Sequence, residues 1–190
     1  MKKIGLTGSI GAGKSAAAQW LRARFIPVHD ADAAVHDIYQ TNDMIKWLSE
    51  MFPSVVSGRT VDRAKLAEII YADPQSKKWL EEVVHPMVRE HRQRWLAEHA
   101  GAALVALDIP LLFESGSDAD CDEVWVVTAP VDVRRRRVMD RPDMTAEKFA
   151  AIDASQMPQD EKVRRASHVI DNGGDLSQLH EQLSCLIGND

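Results

Sequence analysis

The stretch GLTGSIGAGKS, Gly5 to Ser15, decides how this chain is read. Within it, Gly8 to Ser15 fit GxxxxGK[ST], the P-loop pattern. The glycines let the backbone bend so that successive N–H groups converge on phosphate oxygens. A helix beginning near Gly13 brings the positive end of its dipole to the same point. Lys14 reaches the β- and γ-phosphates, and Ser15 carries the hydroxyl that ligates Mg²⁺. The motif needs a strand before it and a helix after it. Ile4 to Thr7 reads as the strand and Ala16 to Phe25 as the helix. Gly11, Ala12, Gly13, Lys14, Ser15 and Ala16 are therefore the expected nucleotide-binding residues. The pattern specifies a nucleoside triphosphate and leaves the reaction open.

Outward from the loop, short apolar runs alternate with helical stretches. Phe25 to His29 reads as a second strand, followed by Ala103 to Leu107, Glu123 to Thr128 and the shorter His168 to Ile170. The unbroken apolar character of the two middle runs suits strands covered on both faces. Leu66, Ile69 and Ile70 share a helical face, as do Leu176, Leu179, Leu183 and Leu186. Between about Asp43 and His99 every segment reads as helix. The expected fold class is α/β, a parallel sheet flanked by helices with a helical excursion large enough to form a lobe. No repeat, low-complexity tract or long linker interrupts a single domain.

Composition narrows the function classes. The 190 residues carry a net charge of −6, against a nucleic-acid binder that works through a basic surface. No run supplies the ~20 apolar residues of a membrane span. The two cysteines, Cys121 and Cys185, have no metal-ligand spacing, so a soluble protein of the reducing cytoplasm is expected. A regulatory GTPase would need an NKxD guanine reader, which is absent. The literal DxxG at Asp171–Gly174 falls after the last strand.

A small-molecule kinase needs a group for the acceptor hydroxyl, an acceptor pocket and mobile cations over the phosphates. Asp30-Ala31-Asp32 follows the second strand, and ligands of open α/β sheets collect at strand carboxyl ends. A carboxylate there serves as base for the hydroxyl, or else caps the next helix. His36, one turn beyond Asp32, faces the same cleft or bonds to that carboxylate. Asp108, closing VALD, has the position of a Walker B aspartate that holds Mg²⁺ through water; the alternative is a strand-end turn before Pro110. On a helix, Arg134, Arg137 and Arg141 fall within about 60° of one another, a stripe suited to clamp phosphate. A solvated face paired with acidic neighbours is the alternative for Arg137 and Arg141.

Taken together, GLTGSIGAGKS, DADAAVH, VVHPMVRE, LDIPLLFESG, RRRRVMDRPDMTAEKF and SQMPQDEKVRRASHVIDNGG resemble the dephospho-CoA kinases over nearly the whole chain. The resemblance implies a P-loop kinase fold with a five-stranded parallel core, about residues 1–38, 102–131 and 165–190. It also implies a helical acceptor lobe at about 40–100 and a lid at about 132–164. The implied reaction moves the γ-phosphate of ATP, with Mg²⁺, onto the ribose 3′-hydroxyl of dephospho-CoA. It casts Asp32, Lys14, Arg137 and Arg141 as catalytic, and Ser15 and Asp108 as metal-holding. Asn172 and Gly173 border the adenine. His36 and His85 belong to the acceptor side, although His85 can equally cap its helix, and Leu111, Leu112 and Glu114 form a loop beside the acceptor. A nucleoside monophosphate or sugar kinase on this scaffold, and an ATP-binding regulatory module, are the competing readings.

Overall fold

The computed structural model describes residues 1–188. The chain divides into two compact units, residues 1–29 with 99–190, and residues 30–98. The strands are β1 (Lys2–Gly8), β2 (Val28–Asp30), β3 (Val56–Ser57), β4 (Thr60–Val61), β5 (Leu104–Asp108), β6 (Glu123–Thr128) and β7 (His168–Asp171). The helices are α1 (Lys14–Arg22), α2 (Ala31–Ile38), α3 (Asn42–Met51), α4 (Arg63–Ala72), α5 (Pro74–Glu98), α6 (Val131–Met139), α7 (Ala146–Ser155), α8 (Gln159–Arg165) and α9 (Leu176–Gly188).

The first unit is built on a five-stranded parallel sheet in the order β2-β5-β1-β6-β7. Its central strands are apolar without alternation because both faces are covered. Along β6, Trp125 and Val127 join the buried cluster of Ile4 and Leu6 with Ala17, Ala18 and Leu21 of α1 and Leu179 and Leu183 of α9. Val124 and Val126 point the other way, onto Leu112 and Phe113. The parallel register sets Leu6 opposite Asp108 and Gly8 opposite Val127. The phosphate loop therefore leaves the sheet from its middle strand, beside the ends of both neighbours.

The second unit packs α2, α3, α4 and α5 around Ile38, Met44, Leu48, Val55, Leu66, Leu80 and Val84. It is not purely helical. Val56 pairs with Val61 and Ser57 with Thr60, so β3 and β4 make a small antiparallel hairpin. Two-residue strands are too short for a period-2 pattern to emerge from the helical surroundings. Helix α5 starts with Pro74 and is capped by Asp73, which accepts from the N–H groups of Gln75 and Ser76 at 3.1 and 3.0 Å.

The element boundaries that move furthest lie on either side of α1. Helix α1 begins at Lys14 rather than Ala16. Phe25 lies in the turn after α1 with a φ of 60° and 95% exposure, so β2 starts only at Val28.

The four leucines aligned on α9 divide by depth. Leu179 is 0% exposed and Leu176 56%. Leu179→Ala is expected to destabilise the fold by about 2–5 kcal/mol, against less than about 0.5 for Leu176→Ala. Urea denaturation of the two variants measures the difference.

Candidate active site

Gly13 caps α1 in the left-handed conformation, with a φ of 99°. No side chain caps that end; the Ala16 N–H turns back to the Gly13 carbonyl at 3.0 Å, and those of Lys14 and Ser15 are left for a ligand. A β-carbon on Gly13 would collide with the Asn172 amide, and one on Gly11 (φ 77°) would come within 2.5 Å of the Arg134 carbonyl oxygen. Both glycines are required by conformation and by space.

The loop is tied down from outside. The Ile10 N–H donates to Gln156 Oε1 at 2.9 Å, and the Ile10 carbonyl accepts from Arg134 Nη1 at 3.3 Å. The Ala12 carbonyl accepts from Asn172 Nδ2 at 2.8 Å and has Arg137 Nη1 3.5 Å away. Asn172 is buried, and its Oδ1 has no hydrogen-bond partner among the described residues. The next residue is held by a local turn, the Gly173 N–H donating to Asp171 Oδ1 at 2.8 Å. Asn172 thus holds the loop from within the protein through the Ala12 carbonyl, and its Oδ1 is shut off from solvent.

Lys14 Nζ pairs with Asp108 Oδ1. Asp108 is 5% exposed at the end of β5, opposite Leu6 of β1. The aspartate is therefore more than a strand-end turn. Ser15 is exposed in the first turn of α1.

The arginine stripe is only partly as expected. Arg134 is buried, and its guanidinium is committed to the Ile10 carbonyl and to Asp153 Oδ1 at 2.5 Å. It supports the loop and is not one of three equivalent clamps. Arg137, half-buried, points at the loop. Helix α6 ends at Met139, so Arg141 lies beyond it and is exposed. Pro142 disfavours helical conformation at the residue before it, which is why the stripe does not continue. Arg136, off that stripe, pairs with Asp132 at 3.7 Å on the solvated side.

The loop after β5 also differs from expectation. Leu111 is exposed, but Leu112 is fully buried and packs with Phe113. Glu114 turns inward, 2.9 Å from the ammonium of Lys162, which is 0% exposed, and accepts the Met157 N–H at 2.7 Å. Partial burial pushes the Glu114 carboxyl up, but the bonds from Lys162 and Met157 outweigh it and hold the carboxyl below the usual glutamate range. Side chains bound in this way anchor the loop to α8.

In the 30–98 unit, Asp30 is the N-cap of α2, accepting from the N–H groups of Asp32 and Ala33 at 3.0 and 3.1 Å. The Asp32 carboxylate is exposed one residue into the helix. His36 does not bond to it. The ring contacts Gln40 Nε2 at 2.6 Å and Arg63 Nη1 at 3.0 Å. His85 is exposed in the interior of α5, beside Pro86, so it caps nothing.

Gln156, Asp153 and Lys162 were not singled out from sequence. Each is a lone polar residue in a polar stretch, with no local pattern to separate it from solvated neighbours.

The comparisons with known proteins agree on one family. The family model described as dephospho-CoA kinase matches residues 2–178. A curated dephospho-CoA kinase of Bartonella quintana is 41% identical, over 100% of this chain and 98% of its own length. That of Mesorhizobium japonicum is 45% identical over 97% and 94%. Among solved structures, a Thermus thermophilus protein superposes with a TM-score of 0.85 at 39% identity, over 99% of this chain and 97% of its own. The dephospho-CoA kinase of Campylobacter jejuni gives 0.74 at 26%, over 100% and 97%. A shikimate kinase of Acinetobacter baumannii, at 0.54 and 15% over 100% and 95%, shares the fold alone.

Glu114→Gln leaves the buried Lys162 ammonium without its counter-charge and is expected to cost about 3 kcal/mol at neutral pH. Because the folded carboxyl titrates below its unfolded value, its contribution is full above the ordinary glutamate range. It is lost as pH falls through the lowered value. The gap between wild type and variant should therefore close on acidification, as followed by chemical denaturation across pH 3 to 7.

Proposed function

This chain belongs to the dephospho-CoA kinase family, and from that premise we propose how its residues move the γ-phosphate of ATP onto dephospho-CoA, the last step of coenzyme A synthesis. The observation that carries the assignment of roles is the pairing of Lys14 with Asp108 where β1 and β5 end side by side. One group is the phosphate-binding cation of a P-loop. The other is a carboxylate held against it.

Residues Gly11 to Ala16 receive the triphosphate, and Asn172 and Gly173 border the adenine. The bond from Asn172 Nδ2 to the Ala12 carbonyl, which holds this residue beside the loop, supports this. Lys14 follows the β/γ oxygens. Arg137, aimed at the loop, and Arg141, exposed and free of the helix, add charge over them as a lid. We assign the lid to about 132–164 and the acceptor lobe to about 40–100, with His36, His85 and Leu111 on the acceptor side. Leu112 and Glu114 anchor the loop that carries Leu111.

Asp32 receives the proton of the ribose 3′-hydroxyl as its oxygen bonds to the γ-phosphorus and the bond to ADP breaks. Asp30 is occupied as a helix cap, which favours Asp32 for this role. Ser15 and Asp108 fit a Mg²⁺ ion, being hard oxygen donors beside the phosphate site. When bound, the ion neutralises phosphate charge. We assign the reaction to the cytoplasm, where Cys121 and Cys185 stay as thiols.

ADP release should occur with Mg·ATP and dephospho-CoA and not with AMP, gluconate, shikimate or water. ADP formed with another acceptor instead would overturn the acceptor assignment. Asp32→Asn should keep ATP affinity and lower turnover by on the order of 10²-fold. A loss below about tenfold removes Asp32 as the base. Arg141→Ala should lower turnover without lowering stability; unchanged kinetics would take it out of the lid.

A further inference from the structure

Resting on the dephospho-CoA kinase reading above, we propose that a cavity of the 30–98 unit between His36, Tyr39, Arg59 and Arg63 seats the 5′-diphosphate of the acceptor, with Arg63 as the principal grip. The cavity measures about 380 Å³ and lies within this unit, between the end of α2, the β3–β4 hairpin and the start of α4. Its arginines carry the inference.

Arg134 meets Asp153, Arg136 meets Asp132 and Arg165 meets Asp118. Arg59 and Arg63 meet no carboxylate among the described residues. Arg59 Nη2 donates to the neutral amide oxygen of Asn42 at 2.8 Å. Arg63 Nη1 lies 3.0 Å from His36 Nδ1, and its guanidinium stands 5.7 Å from the centre of the Tyr39 ring. A guanidinium only donates, so the contact with Arg63 uses the Nδ1 lone pair of His36. The neighbouring carboxylate, Asp62, is turned away as the cap of α4, accepting from the N–H groups of Ala64 and Lys65. The two guanidinium groups are thus positioned by an amide oxygen and a ring nitrogen, and no carboxylate among the described residues pairs with either. Two oriented forks at a concave surface suit an anion that accepts several hydrogen bonds, as a diphosphate does.

The cavity's place on α2 selects which diphosphate. His36 is four residues past Asp32, about 6 Å along the helix axis. A ribose carries its 3′-hydroxyl and its 5′-phosphate on opposite sides of one ring. A nucleotide that offers its 3′-oxygen to Asp32 therefore brings its 5′-phosphate one helical turn away, toward His36 and Arg63. The flank formed by Tyr39 and Val61 is apolar and adjoins this anion position, suiting the carbon chain that continues from the diphosphate.

The test is steady-state kinetics of Arg63→Ala, Arg63→Lys and Arg59→Ala with dephospho-CoA and ATP varied in turn. The expected result is a KM for dephospho-CoA raised about tenfold or more in Arg63→Ala and by a smaller factor in Arg59→Ala. Partial recovery is expected in Arg63→Lys, which keeps the charge and loses the fork. The KM for ATP should stay within about twofold. A merely structural role would instead lower the melting temperature and shift both KM values together. A KM for dephospho-CoA within about twofold of wild type in both alanine variants overturns the inference and leaves the kinase reading intact. Absence of ADP formation from dephospho-CoA by the wild-type protein overturns the kinase reading, and this inference with it.

Discussion

A loop that turns its N–H groups toward one anion must leave carbonyl groups facing the protein, and those carbonyls need donors. The rest of this structure depends on how that need is met. The donors to Ile10 and Ala12 are Arg134 and Asn172, 124 and 160 residues further along the chain, while Gln156, 146 residues on, accepts the Ile10 N–H. A phosphate site near the beginning of the sequence is thus completed only when β6, β7 and the helices between them have folded. The left-handed turn at Gly13 belongs to the same constraint, since any side chain there would displace Asn172.

Buried charge follows the same logic. Lys162 has no exposure, and its removal from water is offset by Glu114, which the Met157 N–H also holds. Arg134 is matched by Asp153 and by a loop carbonyl. These pairs join α8 to the loop after β5 and join α6 and α7 to the phosphate loop. Elements whose sequences are largely polar are thereby located by specific ions as well as by apolar area. Substituting one partner exposes the desolvation cost of the other, so such positions tolerate little.

Much of the fold was legible in sequence because it rests on local, repeating signals. Glu123 to Thr128 forms the predicted strand residue for residue, and the alignment of Leu179 and Leu183 identified the buried face of α9. The errors are equally physical. The β3–β4 hairpin is too short to show a period. The stripe of Arg134, Arg137 and Arg141 assumed a helix that Pro142 does not allow to reach Arg141, and helical angle alone cannot tell a buried arginine from an exposed one. At Asp30 and Asp32 the sequence offered two carboxylates and two roles, and only the backbone bonds assign the cap to Asp30.

The sequence by itself determined the α/β class, the phosphate loop and the family, because those depend on residue types at short, invariant spacings. Tertiary structure alone decided which side chains support the loop and which remain available to a ligand. Glu114 and Arg134 look like site residues in the sequence and are consumed by internal partners, whereas Arg59 and Arg63 look like surface charges and carry no carboxylate partner among the described residues. Partner choice is settled by burial and by contacts between distant elements, such as the one from Arg134 back to Ile10, 124 residues earlier. No local spacing encodes either.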